Sequence, residues 1–211
     1  MIEMGTVSND EVVLAFLQGE VDSPLYGINS PDVGPIYRQV LAQVGFTREE
    51  LIDHGELPSL HQNHARKLLL GGIRGYPDRF LFFGFPRNAT WRRVRLEGDE
   101  VRRLRYGRFD NWVALSGGTR SVYDGATRIA ASAGKADAQA AVQNLTVAVQ
   151  AVANEVRGGK KYPPLIAADT ADGCLILLEG HTRATAYVVA ETKDFEVYVA
   201  SSPHIAQWRW Y

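Results

Sequence analysis

Leu175-Ile176-Leu177-Leu178-Glu179-Gly180-His181-Thr182-Arg183-Ala184-Thr185-Ala186-Tyr187 carries the strongest structural signal in this chain. The apolar run reads as a strand that stops at Glu179-Gly180. A polar triplet follows, and from Ala184 the pattern is helical. A strand that turns through glycine into a helix leaves the first backbone N–H groups of that helix without partners. With the positive end of the helix dipole, those groups form an anion site. Thr182 and Arg183 stand where a hydroxyl and a guanidinium add to it. An echo lies upstream, where the apolar residues 113–115 lead into Ser116-Gly117-Gly118-Thr119-Arg120. Each copy runs from apolar residues through an acidic or hydroxyl residue into Gly-x-Thr-Arg. Two such turns suggest a site for a ligand with more than one anionic group.

Working outward, the residues on either side supply the rest of an α+β unit. Residues 136–157 read as the longest helix, with Val142, Leu145, Val149, Val152 and Val156 on one face and Gly158-Gly159 at its end. Lys160-Lys161-Tyr162-Pro163-Pro164 reads as a rigid extended connector. Strands are expected at 165–168, 174–178 and 195–200, with a helix at 184–190. Further upstream, residues 80–83 read as a strand. Residues 91–96 and 101–106 alternate about the turn Glu97-Gly98-Asp99 and suggest a hairpin. Residues 112–115 read as a third strand. The first 75 residues read as helices: Ser8-Asn9-Asp10 caps one, and a second spans 36–44 and ends at Gly45. Thr47 and Glu50 fit a capping box, and Pro58-Ser59 opens a helix that Gly71-Gly72 would stop. The expected organisation is a helical region, 1–75, followed by an α/β domain, 76–211.

Composition bounds the function. The chain has 211 residues, is 45% hydrophobic and 22% charged, and carries a net charge of −1. This is the make-up of an ordinary globular protein, and it gives no global reason to expect nucleic acid as a partner. No apolar run approaches the roughly 20 residues needed to span a membrane. The first residues lack a basic stretch followed by an apolar core, which argues against a signal peptide. Cys174 is the only cysteine, so no intrachain disulfide forms. The simplest reading is a cytoplasmic protein with Cys174 buried in an apolar strand.

The order of long helix, Pro-Pro-Leu-Ile strand, apolar strand, Gly-x-x-Arg, helix and strand resembles the ParB/sulfiredoxin-like fold over residues 112–202. The form Gly180-His181-Thr182-Arg183, with Glu179 before the glycine, is most similar to the ParB-like free-serine kinases. A sulfiredoxin needs a cysteine between glycine and histidine, and none stands between Gly180 and His181. A partitioning protein would add a basic helix-turn-helix module, whereas this sequence ends about ten residues after its last expected strand. The resemblance implies a mixed sheet with helices, and nucleotide phosphates held by Gly180, His181, Thr182 and Arg183. It implies ADP or ATP as the nucleotide, Mg²⁺ beside it, and a small hydroxyl compound as acceptor. The helical first part resembles no family.

Each residue also has a structural reading. Arg183 pairs with a carboxylate or binds phosphate. Thr182 caps the helix or binds phosphate. Glu179, a carboxylate at the end of an apolar strand, needs a partner: Mg²⁺, a substrate hydroxyl or Arg183. His181 is either a solvent-exposed residue of the turn or a ligand contact, and with Glu179 and Asp124 it completes the candidate catalytic set. Gly118, Thr119 and Arg120 either join the nucleotide site or form an ordinary turn. Asp124 and Arg128 stand at i,i+4, where an ion pair is the plain expectation. Seven arginines between Arg92 and Arg108 form a solvated sheet face or a local patch for nucleic acid. His61 and His64 share a helix face, and a metal site would need a third ligand such as His54 or Asp53.

Three functions follow. The first is a nucleotide-dependent phosphotransferase or nucleotide hydrolase, with Glu179 or Asp124 activating the acceptor. The second is a non-catalytic nucleotide- or anion-sensing module. The third is a DNA-binding or nuclease protein that uses the arginine-rich segment. For the first 75 residues, a lid over the site and a homodimer contact are both open.

Overall fold

The computed structural model describes residues 1–23, 26–54, 59–74, 84–132, 140–209 and 211. The chain divides into two compact units, Val7–Arg87 on one side and Met1–Thr6 with Asn88–Tyr211 on the other. The strand expected at 80–83 and the expected helix start at 136–139 lie outside the described residues.

Within Val7–Arg87 the expected helices form. They are α1 (Asn9–Glu20), α2 (Gly34–Val44) and α3 (Leu60–Arg74). Ser8 caps α1 in a capping box closed by Glu11. Gly45, left-handed at φ 72°, ends α2. The Thr47–Glu50 box is also present, with Thr47 N donating to the Glu50 carboxylate at 2.8 Å, and it opens a short π turn at Glu49–Asp53. Helix α3 does not stop at Gly71-Gly72 but continues to Arg74. There Gly72 permits a close helix–helix approach: a Cβ would stand 3.2 Å from Val40 and 3.3 Å from Ile36. Arg66, fully buried, ties α3 to the π turn through Nε to the Leu51 carbonyl at 2.7 Å.

The second unit is a six-stranded mixed sheet packed with helices. Its strands are β1 (Ile2–Val7), β2 (Thr90–Glu97), β3 (Leu104–Arg105), β4 (Leu165–Asp169), β5 (Leu175–Glu179) and β6 (Asp194–Ser201), in spatial order β1-β2-β6-β4-β5-β3. Strands β2 and β6 are antiparallel, β4 and β6 parallel, β4 and β5 antiparallel, and β3 and β5 parallel. Its helices are α4 (Asp110–Leu115), α5 (Val122–Ser132), α6 (Ala140–Arg157) and α7 (His181–Val189). Strand β5 is buried along its whole length, as its unbroken apolar run requires. Helix α7 packs against α5 and α6.

Four further expectations are corrected. Residues 2–7 form an edge strand of this sheet rather than part of the helical region. The hairpin does not form, because residues 98–103 wind into a 3₁₀ helix and β3 pairs with β5 at the far edge. The buried pair Val101 and Leu104, three residues apart, fits the period of a 3₁₀ turn. Residues 112–115 lie in α4, not in a strand. Trp112 and Leu115 are also three apart, and both face hydrophobic clusters. Cys174 lies partly exposed in the turn before β5 rather than buried within a strand. Among the described residues, no helix is long and apolar enough to cross a membrane.

Candidate functional site

The corner between β5 and α7 forms where the sequence places it. Gly180 adopts φ 90°, ψ 24° at the N-cap and supplies no side-chain cap. Only glycine fits, since a Cβ would stand 2.5 Å from Leu165 Cδ2 and the backbone is left-handed. The first helical bond runs from Ala184 N to Gly180 O at 2.7 Å. Helix geometry then leaves the N–H groups of His181, Thr182 and Arg183 without intrahelical acceptors. Thr182 is partly exposed there.

The side chains of this corner turn inward. Arg183 and Glu179 are 5% and 7% exposed, and they form an ion pair. Arg183 also donates through Nη1 to the Pro163 carbonyl. The guanidinium at helix position N3 opposes the local dipole, and the Glu179 carboxylate offsets it. In this arrangement Glu179 meets its partner within the chain, and Arg183 presents no charge outward.

His181 retains some exposed surface, but its ring is enclosed by aromatic side chains. Ring centroids of Phe109, Trp112 and Tyr106 lie 5.2, 5.6 and 6.1 Å away. Gly107 N donates to His181 Nε2 at 3.4 Å, which assigns the ring proton to Nδ1. Burial, with Arg183 adding to it, pushes the imidazolium pKa down to about 3. His181 is therefore a neutral group at pH 7. Beneath it, Tyr106 Oη and Thr185 Oγ1 share a buried 2.7 Å hydrogen bond. Gly125 of α5 makes room for this pair, since a Cβ there would stand 2.4 Å from the Tyr106 oxygen.

The upstream echo is a different object. Gly117 N donates to Ala114 O and Gly118 N to Val113 O, the paired bonds of a Schellman motif that closes α4. The similar letters thus end one helix at residues 116–120 and begin another at 180–183. Thr119 Oγ1 donates to Asp124 Oδ2 at 2.6 Å, and Ser116 Oγ accepts from Arg120 N at 3.0 Å. Asp124 is partly exposed. The expected Asp124–Arg128 ion pair is replaced by an Arg128 guanidinium lying against Gly117, where a Cβ would stand 2.1 Å from Nη2. Arg120 adopts φ 62°, a left-handed conformation rare for a side chain of this size. Its Nε donates to Tyr106 O at 2.9 Å and its Nη1 to Tyr211 O at 3.3 Å.

The arginine-rich segment is largely satisfied from within. Arg92 makes a two-pronged contact with Asp169 at 2.7 and 2.9 Å. Arg93 pairs with Glu196, Arg102 with Asp99, and Arg103 donates to the Gly173 carbonyl. His61 and His64 are exposed on α3, and His61 packs edge-on against Phe46. Among the described residues, no group of three His, Cys, Asp or Glu side chains could hold a metal.

A cleft of about 560 Å³ that the sequence did not signal lies beside Asn88, Asp169, Ser201, Ser202, Ile205 and Tyr211. Asp169 ends β4 and Ser201 ends β6. The register pairs Ile166 with Glu179 and Asp169 with Leu175, so this cleft lies at the opposite end of β4 from the α7 corner. Burial raises the Asp169 carboxyl, but hydrogen bonds from Arg92 and Ser201 outweigh it and hold the group below the usual carboxylate range.

The unit is thus a mixed α+β sheet with a glycine-turned helix start at one end and a hydroxyl-lined cleft at the other. Comparison with protein-family models, with curated proteins and with solved structures returns no match for this chain.

Proposed function

We propose that the unit of residues 88–211 binds the phosphate groups of a nucleotide at the β5–α7 corner, as a ParB-like binding and sensing module. The observation that carries this reading is Gly180. Its left-handed backbone turns a buried strand directly into a nine-residue helix with no side-chain cap. The first-turn N–H groups are then the donors on offer, and partly exposed Thr182 adds a hydroxyl. The sensing form is favoured over the catalytic one by the closed Glu179–Arg183 pair and by a His181 that stays neutral.

Phosphotransfer to a small hydroxyl-bearing metabolite is the second reading, and Asp124 supports it. It is partly exposed, and its hydrogen bonds tie it to the turn rather than to a cation. Mg²⁺ would enter on the nucleotide phosphates, as it commonly does with one or two protein carboxylates. Glu179 would serve as base or metal ligand only after its pair with Arg183 opens.

The test is calorimetric titration with ADP, ATP, CTP and GTP, each with and without Mg²⁺, followed by an assay for released or transferred phosphate. Stoichiometric binding without turnover is the expected result. Turnover that is lost in Asp124→Asn would establish the second reading. Absence of binding by all four nucleotides at millimolar concentration would refute both.

A further inference from the structure

Arg105, Arg108 and Arg120 form no salt bridge to a side-chain carboxylate among the described residues, and Arg120 Nη1 reaches a main-chain oxygen of Tyr211 at 3.3 Å. All three lie around the segment that follows β3. Tyr106 N donates to Arg120 O at 2.7 Å and Arg120 Nε returns to Tyr106 O at 2.9 Å, so the two residues are locked side by side. Arg105 forms a β-bridge with Ser121, the neighbour of Arg120. Arg108 is exposed two residues beyond Tyr106. Arg105 spends one nitrogen on the carbonyls of Arg102 and Leu104, which neutralise nothing.

Arg120 is the telling member. Its Nη2 is buried and has no hydrogen-bond partner among the described residues. Its backbone is held left-handed at φ 62°. Burial, then the positive charges of Arg108 and Arg105, lower its pKa, and Tyr211 partly offsets them. An unpaired buried donor, a strained backbone and mutual repulsion at one place are each unfavourable for the free protein. Together they mark a site whose missing element is negative charge.

We propose that Arg105, Arg108 and Arg120 form a clamp for a multiply charged phosphoryl group, of the pyrophosphate or nucleoside polyphosphate class. A guanidinium offers a planar fork that fits two oxygens of one phosphoryl group. Three positive charges call for an anion of charge two or more, which a single carboxylate does not supply. The clamp borders the α7 corner through the Gly107–His181 contact, but it uses other residues and does not depend on α7 holding a ligand.

Titration of the full chain with inorganic pyrophosphate by calorimetry, at low and raised salt, tests this. Arg105→Gln and Arg108→Gln are each expected to weaken binding by roughly ten- to a hundredfold, the worth of a charge-assisted contact. Without ligand, both variants are expected to melt at or above the wild-type temperature, because repulsion has been removed. Arg120→Asn, whose residue tolerates a left-handed backbone, is expected to lose affinity likewise. Unchanged pyrophosphate affinity in Arg105→Gln and Arg108→Gln would overturn the clamp. So would binding of a duplex oligonucleotide by a protein that ignores pyrophosphate. Thr182→Val, which removes the exposed hydroxyl of the α7 corner, separates the two sites. Loss of pyrophosphate binding there, with Arg108→Gln intact, would place the anion at α7 and refute the clamp. The reverse pattern would support the clamp and leave the α7 reading to the nucleotide titration.

Discussion

Arg183 shows how one residue type serves two incompatible roles. An arginine three positions after a glycine, at the start of a helix, has the chemistry of a phosphate ligand. It also lies four residues from Glu179 in a space from which water is excluded. Once Glu179 is buried, an unpaired carboxylate costs more than the pair. The pair therefore closes, and the guanidinium turns inward. Arg183→Ala is expected to lower stability by about 3–5 kcal/mol, because it strands a buried charge. E179Q/R183Q removes both charges and is expected to recover most of that loss. A double-mutant cycle in urea reads the coupling directly, and additive effects would contradict a closed pair. Gly180→Ala adds a backbone penalty of ~1–2 kcal/mol to a clash with Leu165 of similar size. A total loss of about 2–4 kcal/mol is the expected shift in unfolding free energy.

The two Gly-x-Thr-Arg segments separate at the level of elements. Glycine is punctuation in both, but what precedes it decides its meaning. Strand β5 is anchored on two sides, by β4 and β3, so Gly180 opens a helix. Helix α4 precedes the other copy, so Gly117 and Gly118 close one. Side-chain identity carries little of this distinction, because the Schellman bonds come from the backbone. Gly117→Ala is expected to cost about 1–2 kcal/mol, the left-handed backbone penalty, since the Arg128 side chain over it can move aside. It should thus be milder than Gly180→Ala, where the obstacle is a buried leucine of β4. Equal losses in chemical denaturation would contradict the different packing described for the two turns. At the same scale, Gly72 shows that a glycine pair within a helical pattern need not end the helix. Its missing side chain is used by α2, not by a turn.

Acid stability is a property of the whole molecule. His181 has its folded pKa pushed down to about 3 from an ordinary 6.5. Between those values the unfolded chain binds the proton and the folded one does not. Stability is therefore full above about pH 6.5 and falls as pH drops towards 3, with a slope of up to ~1.4 kcal/mol per pH unit. Asp169 is also depressed, and its loss begins only where free carboxylates start to protonate. The interval from pH 6.5 down to about 5 thus isolates His181. His181→Phe keeps the aromatic packing and is expected to flatten the urea midpoint across that interval. A midpoint in the variant that still falls with the wild-type slope would show that another group is responsible.

Local patterns in the sequence specify the α+β class, the helices α1, α2 and α3, the capping boxes at Ser8 and Thr47, the strands β2, β4, β5 and β6, and the corner at Gly180. These rest on local rules: a capping box, a glycine stop, an apolar run, an alternating face. Only packing sets that β3 leaves β2 for the far edge, that residues 110–115 form a helix, and that β1 joins a sheet whose other strands lie more than eighty residues away. A short apolar segment is compatible with several periods, and packing chooses among them. It alone decided, too, which charges face outward. Seven arginines lie between Arg92 and Arg108, yet those with partners across the sheet are spent there. Arg105 and Arg108 flank Tyr106, and strand register, which no local rule encodes, brings Arg105 beside Ser121.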